Sequence, residues 1–237
     1  TRNGMMLTQH KLVIDLALQN MDKPIEISTT VGTSNFMGLE KYMVQEGMVY
    51  NFVKGDLTPR RNSFDAAYTA SLIDTVYKYR GLGDGTAYIN DETERLLSSY
   101  ISLYLQISFD ARDKIEQLRG DHPFTADKKA QVDSLATSAV KYLEMGIKQF
   151  PKEWRNYWAA AFVYQAAGMK QKALEAATKG LQNVPSFEEG GLARLNMAIR
   201  QIEMMSDEPL QIEEAAPAAE PAAPADSDEI PMLPEVN

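Results

Sequence analysis

The chain has 237 residues, with 24 Lys and Arg against 33 Asp and Glu, and its formal net charge is −9. Nine of the acids and none of the bases lie in residues 207–237, so residues 1–206 are neutral, with 24 acids and 24 bases. A neutral body offers no cluster of cations to a nucleic-acid backbone, and the absence of cysteine excludes disulfides, zinc–thiolate sites and thiol nucleophiles.

Residues 1–56 are predicted to form a small α/β element. A helix capped by Thr8 carries too many apolar residues for a narrow stripe, so we expect it to be buried on more than one side. Alternation of apolar and polar residues predicts short strands over 24–29 and 48–53. Between them, apolar residues at helical spacing predict a second helix over 36–46.

Residues 57–206 are predicted to be helical almost throughout, because apolar residues recur at the helical period. The predicted helices are 63–79, 90–119, 125–149, 154–167, 170–182 and 190–205. The predicted fold class is therefore mainly α, and α+β overall, with the N-terminal α/β element followed by antiparallel helical hairpins.

Residues 207–237 are rich in Pro, Ala and acids and contain few apolar side chains. Such a segment cannot offset its own ordering entropy by burial, so we expect it to be a disordered, solvated extension. Its deletion is then expected to leave the melting temperature almost unchanged.

The helical region contains an internal repeat. Ala139, Leu143, Gly146 and Pro151 recur 34 residues later as Ala173, Ala177, Gly180 and Pro185. This is the spacing of tetratricopeptide repeats, which are stacked helical hairpins. The second copy resembles that family further at Tyr157, Ala160, Ala161, Tyr164 and Gly168.

The first copy of the repeat is degenerate. Pro123 and the charged residues 127–129 occupy the region where its first helix would lie. Because such arrays usually need three or more units, we expect residues 91–119 to supply a flanking helix.

Several short motifs in the N-terminal half occur in a specific order. They are HKLVIDLA (10–17) with Asn20, KPIEIS (23–28), GLEKY (38–42), EGMVY (46–50) and YINDE (88–92) with Arg95 and Tyr100. This order resembles the soluble C-terminal region of a Bacteroidota family of multi-pass membrane proteins. That family has no known function, is similar to protein O-mannosyltransferases and carries tetratricopeptide-like repeats. The resemblance covers about residues 5–185.

The resemblance implies a soluble domain appended to a glycosyltransferase-like membrane protein. The catalytic part would lie upstream in the membrane, with its catalytic acids in loops between spanning helices, and the soluble part would be periplasmic. None of those loops is in this sequence, so the resemblance assigns no catalytic residue here. No apolar run approaches the about 20 residues that a spanning helix needs.

The turn that begins at Gly32 is the basis of an alternative. It lies between a predicted strand and a predicted helix, where a helix N-terminus could favour an anion. It lacks the G-x-x-x-x-G-K pattern of a phosphate-binding loop, since Leu39 follows Gly38. We interpret it as a capped turn, and a soluble enzyme or a nucleotide- or sugar-phosphate-binding domain using this turn is the alternative.

The residues that we predict to bind a partner lie on the first helix of the better repeat. Arg155, Trp158, Phe162 and Gln165 are spaced three or four residues apart. The corresponding face of tetratricopeptide proteins lines a groove for peptides, where aromatic and Arg side chains are typical anchors. Packing against residues 186–205 would explain the same residues without a function.

These patterns favour a non-catalytic interaction domain. Its partner would be a protein or peptide, which includes the membrane-embedded part of its own chain. A freestanding tetratricopeptide adaptor is a further alternative. No catalytic residue, cofactor or nucleic-acid partner is predicted. No metal site is predicted either, because His10 and His122 are the only histidines and lie far apart in the sequence.

Overall fold

The computed structural model describes residues 7–20, 22–32, 35–36, 38–52, 64–81, 86, 88, 90–206 and 210–213. In this part of the chain α1 (Thr8–Gln19) precedes three strands, β1 (Glu26–Ser28), β2 (Met43–Glu46) and β3 (Val49–Phe52). The helices that follow are α2 (Ala66–Thr75), α3 (Asp91–Gly120), α4 (Ala126–Gln149), α5 (Trp154–Ala166), α6 (Lys170–Asn183) and α7 (Glu189–Glu203). The prediction of a mainly α fold with a small sheet is confirmed.

The three strands form an antiparallel sheet with the order β1-β3-β2. In the register of the sheet, Glu26 lies opposite Asn51 and Glu46 opposite Val49. A tight turn therefore joins β2 to β3, and it begins with Gly47 at a φ of 64°. Glycine adopts this left-handed conformation without the strain that a Cβ would introduce.

The predicted helix over residues 36–46 is wrong. Leu39–Tyr42 form one short 3-10 turn, and Met43–Glu46 form β2 with Met43 and Gln45 buried. Gly38 has a φ of 85°, which is incompatible with a right-handed α-helix. The apolar spacing in this stretch fits a strand as well as a helix, and pairing with β3 decides between the two.

The prediction that α1 is buried on more than one side is also wrong. Only one stripe of the helix is covered, with His10 and Ala17 buried. Leu12, Leu16 and Leu18 remain 66%, 55% and 67% exposed. The helix also begins one residue earlier than predicted, with Leu7 at the N-cap position.

Helices α3 to α7 form an array of hairpins in two layers. The packed pairs are α3 with α4, α3 with α5, α4 with α5, α5 with α6, α5 with α7 and α6 with α7. One layer therefore contains α3, α5 and α7 side by side, and the other contains α4 and α6. Residues 91–119, which we expected to be a flanking helix, instead form most of the first helix of the first hairpin.

The repeated glycines lie where the two layers cross. A Cβ on Gly146 in α4 would come within 2.8 Å of the Tyr104 ring in α3. A Cβ on Gly180 in α6 would come within 2.8 Å of the Cβ of Tyr157 in α5. The 34-residue period therefore marks equivalent helix crossings in the two hairpins, at which only glycine permits the observed approach.

Buried and partly buried hydrogen bonds attach the sheet to α2 and α3. The Gln106 side chain of α3 donates to Gln45 Oε1 over 3.1 Å, and Gln45 Nε2 in turn donates to the Gly47 carbonyl over 3.1 Å. Gly47 N donates to the Thr69 hydroxyl of α2 over 2.9 Å. A cluster of edge-to-face and tilted rings continues this junction and consists of Tyr77, Tyr79, Tyr100 and Tyr104.

Residues 210–213, called the strap below, return to the array after α7. Leu210 is half-buried against Gly168 in the turn between α5 and α6, since a Cβ on that glycine would lie 3.1 Å from Leu210 Cγ. Glu213 N donates to the Phe124 carbonyl over 2.9 Å. The Glu213 carboxylate accepts from Phe124 N over 3.3 Å and lies 2.9 Å from His122 Nδ1.

The strap corrects the expectation of a disordered tail at these residues. Leu210 packs against the core cluster of α3, α4 and α5. This burial offsets the entropy that the segment loses on becoming ordered, although the composition of the tail predicted too little burial to do so. The remainder of the predicted tail, 207–209 and 214–237, lies outside the described residues.

Truncation before the strap is expected to destabilise the chain, in contrast to our sequence-based expectation. A chain that ends at residue 206 loses the buried part of Leu210 and the Glu213 hydrogen bonds, which together contribute about 2 kcal/mol. For a chain of this size we expect the melting temperature to fall by roughly 4–8 °C. Calorimetry of chains that end at residues 206, 213 and 237 measures this. The chain that ends at 213 is the control and should melt with the full chain; equal melting of all three would mean that the strap does not dock.

Candidate functional site

Helix α5 carries a stripe of three large aromatic side chains. Trp154, Trp158 and Phe162 are four residues apart and therefore follow one side of the helix. The ring centroids of Trp154 and Trp158 are 6.2 Å apart, and those of Trp158 and Phe162 are 4.4 Å apart. The helix begins here because the Glu153 carboxylate caps it, accepting from Arg155 N over 3.1 Å.

The neighbouring helices of the same layer extend this stripe on both sides. Phe109 of α3 places its ring 6.2 Å from Trp158, and Arg112 of α3 lies 5.5 Å from the Phe162 ring centroid. On the other side Arg194 of α7 lies 5.5 Å from the Trp154 ring centroid. These six residues form one continuous surface, called the aromatic face below: Phe109, Arg112, Trp154, Trp158, Phe162 and Arg194.

The rings of the aromatic face are half-buried rather than fully exposed. Trp158 and Phe162 pack against the small core that includes Ala161, Ala198 and Ile202. Phe109 keeps 38% of its surface exposed. Each ring therefore has one side fixed by packing and another side at the surface, which gives a rigid aromatic surface with little conformational entropy left to lose on binding.

The structure brings together two of the four residues that we predicted from sequence. Trp158 and Phe162 are in direct ring contact. Arg155 instead turns to Glu153, with Nε 2.7 Å from Oε1 and Nη2 2.8 Å from Oε2, and this hydrogen bonding raises the pKa of the guanidinium. Gln165 is half-buried one turn beyond Phe162. Packing against residues 186–205 accounts for the inner side of the rings, so a peptide groove stays a prediction.

Four residues of the aromatic face were not among our predicted residues, namely Phe109, Arg112, Trp154 and Arg194. Trp154 could have been found, because it precedes Trp158 by four residues. A weaker signal existed for α3, where Tyr104 and Phe109 have the same spacing as Tyr157 and Phe162. The 34-residue period does not connect these two pairs, so the sequence alone did not align α3 with α5.

The cations of the aromatic face differ in how their charge is compensated. Arg112 forms a salt bridge with Glu116 at 2.6 Å, one turn along α3. Arg194 forms no salt bridge with any residue that the structure describes. An Arg held above an aromatic ring retains its hydrogen-bond donors for a ligand, because the ring contacts its flat side.

The alternative site at the Gly32 turn loses the helix on which it depended. Asn35 N donates to the Gly32 carbonyl over 2.9 Å, which closes a local turn. The described chain then continues into the 3-10 turn and β2, so there is no α-helix here whose N-terminus could favour an anion. Residues 33, 34 and 37 lie outside the described residues.

The described residues show neither a metal-binding cluster nor a membrane-spanning helix. They contain no group of three or more His, Asp or Glu side chains placed to hold a metal ion. In the same ranges, each helix is either too short or too polar to cross a membrane.

Comparison with known proteins identified no relative. The chain matches no protein-family model, and neither curated proteins nor solved structures gave a match. Its function must therefore be inferred from its own residues.

Proposed function

We propose that this chain is a non-catalytic interaction domain that binds a segment of a protein partner on the aromatic face. The observation that carries the proposal is the continuous surface of Phe109, Trp158 and Phe162 with Arg112 and Arg194 at its two sides. Aromatic residues and Arg are the side chains most enriched at the energetic centres of protein interfaces. Rings that are already held in place bind without a large entropic cost.

The dimensions of the aromatic face suit an extended peptide. It crosses three adjacent helices, α3, α5 and α7, and helices in contact are 8–10 Å apart, so the face is about 20 Å wide. An extended segment advances about 3.3 Å per residue, so about six residues would cross it. Half-buried rings would receive apolar side chains, and the two Arg residues would receive carboxylates or carbonyls.

We further propose that this domain belongs to a membrane-anchored, glycosyltransferase-like protein and lies in the periplasm. The order of the motifs in residues 10–17, 23–28, 38–42, 46–50 and 88–92 supports this assignment. The partner segment would then come from an acceptor protein or from the membrane-embedded part of the same protein. A freestanding adaptor would have the same aromatic face without an anchor, and the coding sequence upstream of Thr1 distinguishes the two.

Peptide selection tests the binding function directly. A random peptide library displayed on phage is selected on the chain that ends at residue 213, and the enriched peptides are synthesised and titrated. We expect Phe109→Ser combined with Arg194→Glu to weaken their binding by about tenfold or more, or at least ~1.4 kcal/mol. Arg194 is exposed and Phe109 keeps 38% of its surface exposed, so neither change empties a fully buried site and the double variant should retain the fold.

Arg200→Glu combined with Phe187→Ser is the matched control. These residues make the same two chemical changes, and both are exposed. Arg200 lies on α7 like Arg194, but among the described residues neither Arg200 nor Phe187 takes part in the ring–ring or cation–π contacts of the aromatic face. The control should bind the selected peptides like the unaltered chain. Equal losses in both double variants, or no enriched peptide at all, would contradict the proposed function.

A further inference from the structure

We propose that the acidic C-terminal end of this chain, residues 226–237, is itself a ligand of the aromatic face and competes there with partner segments. This inference rests on the proposed function of the face. Binding of residues 226–237 to the aromatic face would make the domain self-inhibiting, because a partner would have to displace these residues in order to bind.

The chemistry of residues 226–237 matches that of the aromatic face. The segment has acids at Asp226, Asp228, Glu229 and Glu235, apolar side chains at Ile230, Met232, Leu233 and Val236, and no Lys or Arg. The acids would pair with Arg194 and Arg112, and the apolar side chains would contact the rings between them. Pro231 and Pro234 limit the conformations of the unbound chain and so reduce the entropy lost on binding.

The strap ends near enough to the aromatic face for residues 226–237 to be able to reach it. Its last residue, Glu213, is hydrogen-bonded to Phe124, shortly after the end of α3 at Gly120. Phe109 lies about 17 Å back along α3 from that end, at 1.5 Å per residue. Residues 214–225 can span up to about 40 Å, at roughly 3.3 Å per residue. Residues 214–225 are therefore long enough as a linker for residues 226–237 to reach and cross the face.

Tethering allows this contact to be intrinsically weak. A short flexible linker gives an effective concentration in the millimolar range, so a segment with a Kd of about 1 mM in trans would occupy its own face about half of the time. Occupancy by the tail would reduce the apparent affinity for any partner in proportion to the fraction of free face.

Tryptophan fluorescence can report this occupancy, because the two tryptophans of the chain, Trp154 and Trp158, both belong to the aromatic face. Acrylamide quenching is compared between the full chain and the chain that ends at residue 213, which keeps the strap. We expect quenching about twofold stronger without residues 214–237. A synthetic peptide of residues 214–237 added to the shorter chain should restore protection saturably and less well at high salt.

Two controls locate the contact. Arg112→Gln with Arg194→Gln in the shorter chain should weaken binding of the peptide at least about fivefold, whereas Arg200→Gln on the outer side of α7 should leave it unchanged. A peptide with Ser in place of Ile230, Met232, Leu233 and Val236 should bind at least about fivefold more weakly.

The outcomes separate this inference from the proposed function. Identical quenching of both chains, together with no saturable response to the peptide at several millimolar, overturns it. Equal peptide binding by the Arg112→Gln/Arg194→Gln and Arg200→Gln chains overturns it as well, because the contact would lie elsewhere. If library-selected peptides still bind the aromatic face in either case, the proposed function stands and only the tail as ligand fails.

Discussion

Gly180→Val is expected to destabilise the chain by about 3 kcal/mol or more, and to lower its melting temperature by roughly 10 °C. A Cβ at Gly180 would lie 2.8 Å from the Cβ of Tyr157 and 3.0 Å from Leu195 Cδ1, both on buried residues. The Tyr157 Cβ is fixed to the backbone of α5, so rotating a side chain does not relieve the overlap. The helices α5 and α6 would have to separate, which opens the core between them.

Gly190→Val is the control for this substitution. Gly190 is also helical, and a Cβ there would have no atom within 4 Å. The change should stay within about 0.5 kcal/mol of the unaltered chain, because Val and Gly differ little in helix propensity. Urea unfolding of both variants measures the two free energies. Equal stability of Gly180→Val and Gly190→Val would show that α5 and α6 do not cross at Gly180.

The second large effect is a loss of stability at alkaline pH. Tyr104 and Tyr157 are 0% and 1% exposed, and desolvation by burial raises the pKa of both hydroxyls above the ordinary value of 10.0. The unfolded chain releases these protons near pH 10, while the folded chain retains them. The stability contributed by the two neutral hydroxyls is therefore complete below about pH 10 and falls as the pH rises above it. The fall is at most ~1.4 kcal/mol per pH unit for each tyrosine, and at most about 3 kcal/mol per pH unit for the pair.

Urea unfolding between about pH 9 and pH 11, with tyrosinate absorbance recorded in parallel, measures this dependence. Tyr157→Phe should lower the slope attributed to the pair, because it removes one of the two buried hydroxyls. At neutral pH it should cost about 1 kcal/mol, because the Tyr157 hydroxyl donates to the Pro151 carbonyl over 2.9 Å. Tyr88→Phe is the control, since Tyr88 is 93% exposed. A free energy of unfolding that stays constant up to about pH 11 would contradict the burial of these hydroxyls.

The long helices could be predicted from the sequence because their signals are local. Helix α3 begins after Asn90, whose side chain accepts from Thr93 N, and α4 begins after Thr125, whose hydroxyl accepts from Lys128 N. The predicted starts at residues 90 and 125 agree with these caps within one residue. Periodicity and capping involve residues only a few positions apart, so they can be recognised without knowing what the helix packs against.

The candidate site was only partly predictable, because local patterns reveal contacts within one helix but not contacts between helices. Trp158 and Phe162 share one helix, so their contact follows from helical spacing. Phe109 and Arg112 reach them only because α3 packs beside α5. The helices α3 and α4 are much longer than α5 and α6, which shifts the repeat that would have aligned α3 with α5. Arg155 was placed on the correct helix, but its guanidinium pairs with Glu153, which lies two residues before it in the sequence and outside the helical spacing we considered.

By itself, the sequence determined the helical class, most helix boundaries, and the small residues at which helices cross, since each depends on neighbouring residues. The tertiary structure alone decided three features. Residues 43–46 became a strand because β3 offers them a hydrogen-bonding edge. Phe109, Trp158 and Arg194 lie on three different helices and form one surface. Leu210 is half-buried against Gly168, in a tail whose composition predicted no burial. In each case the stabilising partner is distant in the sequence, and no local pattern encodes where it will lie.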